Sequence, residues 1–244
     1  MITRIKLGTA ALYKLKSGNR FIKNSSMSYL HNYGIRITNE KLEPLRPVLD
    51  AWINCIIQYV ELFDGGDLPY WFNERANVSI LSAAAWKAGM VALEEFPSDK
   101  VPQSSEDEEI DSALCKETNP KKGRCDLYLA NSDVEFFVEA KVDYPKISDK
   151  SDCFRKGLSY IAQDRRNVGS QSSIHLSALF CAPFSHKQRA SEQEISNHLN
   201  LALQEPMDAH AWVIPSKAQE TASHKGSYYP MVSLFLKIAR SANS

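Results

Sequence analysis

The chain lacks the local patterns that mark several large classes of protein. Its five cysteines are odd in number and contain no Cys-x-x-Cys pair, so the sequence indicates neither a zinc ribbon nor a disulfide framework. No apolar stretch follows Met1 and no run of about eighteen apolar residues occurs, so neither secretion nor membrane insertion is indicated. We therefore expect a protein of the reducing cytoplasm that has no membrane partner.

Sequence cues for several common enzyme classes are also missing. The chain has no Gly-x-x-x-x-Gly-Lys-Ser/Thr, no Gly-x-Gly-x-x-Gly and no Gly-x-Ser-x-Gly string, which are the usual marks of nucleotide cradles and serine hydrolases. Its six histidines are scattered and form no His-Glu-x-x-His pair. We expect these histidines to be surface or core residues rather than metal ligands.

Acidic residues are missing from the first 39 positions, although the whole chain balances 29 basic residues against 29 acidic residues. A basic arm can follow a phosphate backbone, and a solvated terminal segment explains the same pattern. We predict a basic N-terminal segment over residues 1–45. The length of 244 residues favours one domain with an appendage, and the hydrophobic content of 43% is ordinary for a globular protein. We assign residues 46–244 to a single domain, and the order of its predicted helices and strands makes it an α/β domain.

Hydrophobic spacing and turn residues predict the order of the secondary structure. Helical spacing covers residues 48–63, and a second helix is predicted from its N-cap Asn73 to about Phe96. Further helices are predicted at residues 152–168 and 191–204, and strands at 2–7, 35–38, 110–116, 124–130, 134–142, 173–184, 209–214 and 229–238. A turn is predicted at residues 119–123, and the strands between residues 110 and 142 are expected to form a meander.

The residues that suggest chemistry lie in the predicted hairpin over residues 124–141. Asp126 is on its first strand, and Glu139 and Lys141 are on its second. Because side chains alternate along a strand, Glu139 and Lys141 share one face, while Phe136 and Val138 share the other. Unpaired charge at the end of an apolar strand is costly, and a metal ion together with a phosphate can offset this cost. An ordinary Glu–Lys contact on a surface strand is the simpler alternative.

A further acid, Glu74, follows the predicted N-cap of the second helix. One helical turn separates it from Val78, which begins the main apolar stripe, so Glu74 lies at the end of the buried face. The helix dipole also favours an acid in the first turn, which explains Glu74 without a functional role.

Between residues 73 and 184 the predicted order is helix, three strands, helix and strand. This order, with Asp126 on one strand and Glu139-Ala140-Lys141 on the next, resembles the PD-(D/E)xK nuclease superfamily. The resemblance implies a restriction-endonuclease-like αβββαβ core over residues 73–184. It also implies a central mixed sheet flanked by helices, with additions at the N-terminal and C-terminal ends.

Two further residues bear on this resemblance. Glu74 stands in the place of the acid that many members carry on the preceding core helix. Cys125 precedes Asp126 where the family name has proline, a departure that removes no ligand.

The resemblance implies a Mg²⁺-dependent nuclease, with Mn²⁺ as a substitute, that hydrolyses phosphodiester bonds in DNA in preference to RNA. Restriction, phage defence or repair would be its setting. Asp126 and Glu139 would supply hard oxygen ligands to Mg²⁺, and Glu74 would complete the metal site directly or through water. Lys141 would orient or help to deprotonate the attacking water, or balance charge in the transition state.

The predicted helix at residues 152–168 carries the sequence Gln163-Asp-Arg-Arg166, which resembles the Gln-x-x-Arg element of some branches of the superfamily. Gln163 would orient the metal ligands at the catalytic site, and Arg166 would bind substrate phosphate.

Two alternatives stay open. The chain can be a catalytically inactive protein of the same fold that binds nucleic acid or a protein partner. It can also be an unrelated α/β protein in which Glu139 and Lys141 form a surface pair. Cutting both strands of a duplex would favour a homodimer, but the sequence identifies no interface.

Overall fold

The computed structural model describes residues 3–7, 10–14, 31–100, 121–148 and 173–239, with side chains for residues 31–97, 124–148 and 173–239. The helices are α1 (Arg46–Leu62), α2 (Glu74–Lys87) and α3 (Glu192–Gln204), and short 3-10 helices cover Glu40–Leu45 and Pro69–Trp71. The strands are β1 (Thr3–Leu7), β2 (Ala10–Lys14), β3 (Asn32–Ile37), β4 (Val91–Lys100), β5 (Lys121–Ala130), β6 (Glu135–Asp143), β7 (Ser173–Cys181), β8 (Ser185–His186), β9 (Ala209–Ile214), β10 (Ser227–Tyr228) and β11 (Val232–Ile238). Within the described ranges, no helix combines the length and the apolar character that crossing a membrane requires.

Seven strands form one mixed sheet in the order β3-β9-β11-β7-β6-β5-β4. Strands β6 and β7 run parallel, and the other neighbouring pairs of this sheet run antiparallel. Two smaller antiparallel ladders join β1 to β2 and β8 to β10. The prediction of an α/β fold with a central mixed sheet flanked by helices is confirmed at this level.

Helices cover both faces of the sheet, which explains why β7 is apolar along most of its length. On one face, α1 and α2 pack over the main core, to which Ala178 and Phe180 of β7 contribute. On the other face, Leu179 of β7 packs with Phe235 of β11 and Ala202 of α3. Successive side chains of β7 therefore enter two different cores, as in other strands that are buried on both faces.

The helix predicted at residues 48–63 is confirmed as α1. Pro47 lies in its first turn, where the missing N–H needs no partner. Beyond the helix, Gly65 has a φ of +75° and donates its N–H to the Val60 carbonyl over 2.9 Å. A Cβ at Gly65 would also collide with the carbonyl oxygen of Lys217. Both the backbone conformation and the packing therefore require glycine at this position.

The start of the second helix is confirmed, because the Asn73 side chain accepts a hydrogen bond from the Ala76 N–H over 3.1 Å. Its predicted end is wrong: α2 stops at Lys87, not near Phe96. Gly89 ends the helix with a φ of +84°.

Residues 91–100, whose first half was assigned to this helix, form the edge strand β4. The alanines at positions 88 and 92 fit helical spacing, which favoured the longer helix. Antiparallel pairing with β5, a contact distant in sequence, provides backbone hydrogen bonds to β4 instead. The meander is thus β4-β5-β6, and its first strand precedes the one predicted at residues 110–116.

Most of the other predicted elements are confirmed, one is wrong in part, and two lie outside the described residues. Strands β5, β6, β7, β9 and β11 and helix α3 lie close to their predicted positions, and the capping box of Ser191 and Glu194 at the start of α3 is confirmed. The turn predicted at residues 119–123 is wrong in its second half, because β5 begins at Lys121 to pair with the long β4. The strand predicted at residues 110–116 and the helix predicted at residues 152–168 lie outside the described residues.

Part of the predicted N-terminal segment belongs to the main sheet. Strand β3 pairs with β9 from Asn32–Ile214 to Ile37–Ala209 and forms the edge opposite β4. The residues from position 32 onward are therefore an integral part of the domain that carries the sheet.

Replacing Gly65 with alanine is expected to lower the free energy of unfolding by about 2–4 kcal/mol, because both the positive φ and the contact with Lys217 oppose a Cβ. Gly89→Ala is the matched control, since Gly89 has a similar φ but nothing within 4 Å of the added Cβ. Its expected cost is smaller, about 1–2 kcal/mol. Urea denaturation measures both values, and equal losses in the two variants would contradict the role of the Lys217 contact.

A histidine is buried on the α3 side of the sheet. His210 on β9 stacks on Phe235 with ring centroids 4.3 Å apart, and within the described side chains neither of its ring nitrogens has a hydrogen-bond partner. Burial, followed by the positive charges of Arg36 and His198, lowers the pKa of His210 to about 3. The folded protein therefore keeps this ring neutral well below pH 7.

His210→Phe is expected to make stability less dependent on pH. The unfolded histidine binds a proton near pH 6.5, whereas the folded one does so only near pH 3. The stability that His210 contributes is therefore complete above about pH 6.5 and falls by about 1.4 kcal/mol per pH unit below it. Urea denaturation at about pH 7.5 and about pH 5.5 measures the difference. His224→Gln, at an exposed site, should leave the wild-type pH profile unchanged.

Candidate active site

Asp126 lies at a gap in the hydrogen-bonded ladders on both sides of β5. The β4–β5 pairing leaves out the opposed residues Glu95 and Asp126. The β5–β6 pairing runs from Ala130 back to Leu127, which pairs with Val138, and does not include Asp126. Instead, Asp126 Oδ2 accepts a hydrogen bond from the Ala140 N–H over 2.7 Å. The carboxylate is thereby fixed at the point where pairing between β5 and β6 ends.

Glu139 neighbours Asp126 across the same pair of strands. When the β5–β6 register is continued by one residue, it places Asp126 opposite Glu139. Burial alternates along β6, where Val138 and Ala140 are buried in the core below α1 and α2. Glu139 therefore lies on the face of the sheet that points away from α1 and α2, whereas Asp126, whose charge acts on Glu74 of α2, is held at the end of the ladder by the Ala140 N–H.

Lys141, at the exposed end of β6, reaches the start of α2. Its Nζ lies 3.5 Å from Glu74 Oε2, and the two side chains are 47% and 35% exposed. A pair with this exposure contributes little to stability, about 1 kcal/mol or less. The pair matters for position, because it holds the end of β6 near the N-terminus of α2.

Glu74 is electrostatically coupled to the strand acids. Its burial raises the pKa of Glu74 above the usual value, and the negative charge of Asp126 raises it further, while Lys141 acts in the opposite direction. The effect of Asp126 means that the acids of α2 and β5 are near enough to repel each other. A cation that bound both carboxylates would remove this repulsion and lower the pKa of Glu74.

Tyr144 ties the same two elements together a second time. Its hydroxyl donates a hydrogen bond to the Phe72 carbonyl, just before α2. Burial, followed by the charges of Tyr229 and Glu74, raises the pKa of Tyr144 to about 12, so the phenol is a donor at neutral pH. The sequence analysis did not identify Tyr144. The one local signal for Tyr144 is its position, three residues after Lys141. Its role can be recognised only when the position of the Phe72 carbonyl is known.

The oxygen donors of the site suit Mg²⁺, although they are not gathered into a compact cluster. Among the described side chains, no three His, Cys, Asp or Glu residues form a group that could hold a metal ion. In proteins, Mg²⁺ keeps several waters and is commonly bound by one or two carboxylates together with phosphate oxygens. Asp126, Glu139 and Glu74 supply that type of ligand, and water and substrate phosphate would have to complete the shell.

Of the predicted site residues, Glu74, Asp126, Glu139 and Lys141 lie around the end of the β5–β6 ladder. Gln163 and Arg166 lie outside the described residues, so their predicted roles stay predictions.

The resemblance to the PD-(D/E)xK superfamily stays a prediction, which rests on the order of the predicted elements and on Glu74, Asp126, Glu139 and Lys141. Comparison of the chain with protein-family models, with curated proteins and with solved structures gives no match.

Proposed function

We propose that the protein is a Mg²⁺-dependent nuclease of the restriction-endonuclease-like fold that hydrolyses phosphodiester bonds in DNA in preference to RNA. The observation that carries the proposal is the fixed carboxylate of Asp126. The Ala140 N–H binds it between Glu139 and Lys141, which flank Ala140 on β6. The contact of Lys141 with Glu74 adds the acid of α2 at the same end of the sheet. Restriction, phage defence and repair are the processes in which such an activity acts.

The order of the described elements supports the same proposal. Helix α2 is followed by the meander β4-β5-β6 and then by β7, which is parallel to β6. Adjacent parallel strands need a crossover of about a dozen residues or more, usually a helix. Residues 144–172 connect β6 to β7 and include the helix predicted at residues 152–168.

The carboxylates of Asp126, Glu139 and Glu74 would hold Mg²⁺. When bound, Mg²⁺ supplies neutralisation of the charge on the phosphate and lowers the pKa of a nearby water. The Ala140 N–H keeps the Asp126 carboxylate in one orientation, so little reorganisation is needed when substrate binds.

The Lys141 ammonium would act on the water or on the phosphate. Its present partner is the carboxylate of Glu74, and both side chains are partly exposed. Glu74 would be among the residues that hold Mg²⁺, and Lys141 would donate hydrogen bonds to the attacking water or to a phosphate oxygen. The charge facing Lys141 would therefore depend on whether the Glu74 carboxylate is paired with Lys141 or holds the metal.

A second candidate function is binding without catalysis, to nucleic acid or to a protein partner. The observation that favours it is the lack, among the described residues, of a compact group of three metal-ligating side chains. In that case the Asp126–Ala140 hydrogen bond and the Glu74–Lys141 pair have structural roles only.

Asp126→Asn, Glu139→Gln and Lys141→Met are each expected to lower the rate of Mg²⁺-dependent cleavage by about 100-fold or more, because each removes a ligand or a charge from the site. The assay incubates the full chain with Mg²⁺ or Mn²⁺ and with linear, supercoiled, single-stranded and branched DNA and RNA. A chelator should abolish cleavage in the wild type.

Glu192→Gln, at an exposed acid in the first turn of α3, is the control for this series and should cut at the wild-type rate. If the wild type cleaves none of the substrates with either metal, the nuclease proposal is wrong. If it cleaves and Asp126→Asn cleaves equally well, the site has been assigned incorrectly.

Lys141→Met is also expected to separate activity from stability. Because the Lys141–Glu74 pair is partly exposed, its loss should change the free energy of unfolding by no more than about 1 kcal/mol. Activity should fall far more than that change explains. Arg46→Met, which breaks the similarly exposed Arg46–Glu43 pair on the surface, is the matched control and should affect neither property strongly. A purely structural pair would give the same result in both variants.

A further inference from the structure

Glu95 has an unusual backbone conformation next to the candidate site. It lies within β4 with a φ of +55°, in the left-handed region that residues other than glycine seldom adopt. It is opposed to Asp126, and these two residues are missing from the β4–β5 ladder. Strained residues of this kind persist only where the surrounding contacts impose them, and they concentrate at functional sites.

The strained residue reverses the alternation of side chains along β4. The Glu94 carboxylate accepts a hydrogen bond from Ser79 of α2, so it faces the helix. Two residues later Phe96 should face the helix as well, but its ring stacks on Tyr128, with centroids 4.7 Å apart, on the opposite face. The side chains of β4 therefore switch to the opposite face of the sheet at Glu95, on the edge strand.

This switch brings the Glu95 carboxylate between two arginines. Oε1 lies 3.0 Å from Nη2 of Arg75 on α2, and Oε2 lies 3.5 Å from Nη1 of Arg124 on β5. The arginine side chains are 79% and 70% exposed. Two guanidinium groups thus share one carboxylate at the surface.

The arginines are tied by sequence to the acids of the site. Arg75 directly follows Glu74 in α2, and Arg124 precedes Asp126 by two residues in β5. The Arg75–Glu95–Arg124 group therefore borders the candidate site on the side of β4. A nucleic acid strand that crossed the site toward this edge would meet the two guanidinium groups.

We infer that Arg75 and Arg124 form a phosphate clamp for the nucleic acid backbone, and that Glu95 is the internal carboxylate that the bound phosphate displaces. Guanidinium groups present paired donors that match the oxygens of a phosphate. The clamp would fix the strand beside the scissile phosphate rather than take part in the reaction. This inference rests on the proposed function, because it assigns nucleic acid as the substrate.

The test measures the affinity of the full-length protein for labelled single-stranded and duplex DNA by fluorescence anisotropy. A chelator is present throughout, so cleavage plays no part in the result. Arg75→Gln and Arg124→Gln are each expected to weaken binding by about 3- to 10-fold near 0.1 M salt. Each should also reduce the slope of log affinity against log salt by about 0.7–0.9, which is the signature of one lost phosphate contact.

Arg189→Gln is the matched control, because Arg189 is a surface arginine paired with Glu220 at 3.3 Å and is 55% exposed. It should bind DNA with the wild-type affinity and salt slope. Thermal unfolding checks that the exposed substitutions leave the fold intact. Wild-type affinity in the double variant Arg75→Gln/Arg124→Gln would overturn the clamp, and so would a wild type that binds no nucleic acid.

Glu95→Gln tests the displaced carboxylate by itself. It removes the competing negative charge, so affinity for DNA should rise severalfold. A fall in affinity would overturn the role given to Glu95.

Failure of the clamp and failure of the nuclease proposal give different results. If the arginine variants bind more weakly but the wild type cleaves nothing in Mg²⁺ or Mn²⁺, the clamp is supported and the nuclease proposal is wrong. If the wild type cleaves and the arginine variants bind as Arg189→Gln does, the clamp is wrong and the nuclease proposal is supported.

Discussion

The hydrogen bond from the Ala140 N–H to the Asp126 carboxylate is the contact on which the geometry of the candidate site depends. At Asp126 the backbone ladders toward β4 and β6 are both interrupted, so the side chain takes over the link between β5 and β6. Ala140 is buried in the main core and lies between Glu139 and Lys141. One bond therefore sets the position of Asp126 relative to both of these residues, and the core keeps that bond in place.

The end of β6 is joined to the start of α2 by two contacts of different kinds. One is the partly exposed ion pair of Lys141 with Glu74, which is weak and can be exchanged. The other is the hydrogen bond from the Tyr144 hydroxyl to the Phe72 carbonyl. Since the tyrosine stays protonated at neutral pH, its bond persists whatever the state of Glu74. The Tyr144 contact therefore joins α2 to the end of β6 independently of the Lys141–Glu74 pair.

The sequence was sufficient to predict those elements whose ends depend on local signals. Helix α1 stops before Gly65, and the capping box of Ser191 and Glu194 marks the start of α3. Strand alternation put Glu139 and Lys141 at the end of an apolar strand, and the apolar stripe of α2 put Glu74 at its head. In each case the residues that decide the structure are neighbours in the chain.

Other features depend on contacts between distant parts of the chain. Gly89 was a local sign that α2 ends there, but the alanines around it fit a longer helix, and pairing with β5 decided in favour of β4. The switch of side-chain direction at Glu95 has no sequence signature, because the partners of Glu95, Arg75 and Arg124, come from two other elements. Tyr144 is recognisable only from its carbonyl partner before α2.

Under the proposed function, the charges around the site would let it remain folded without a ligand and still accept one. Lys141 has the Glu74 carboxylate within reach, and Arg75 and Arg124 share that of Glu95. These pairs are partly exposed, so exchanging an internal carboxylate for a phosphate replaces one solvated ion pair with another and carries little desolvation cost. Burial raises the pKa of Glu74 above its usual value, and the negative charge of Asp126 raises it further, while the charge of Lys141 acts in the opposite direction. Under the proposed function, Asp126, Glu139 and Glu74 would hold the divalent cation, and the substrate phosphate would take the place of the acids beside the basic groups. Under the proposed function, binding of metal and binding of substrate would therefore favour each other.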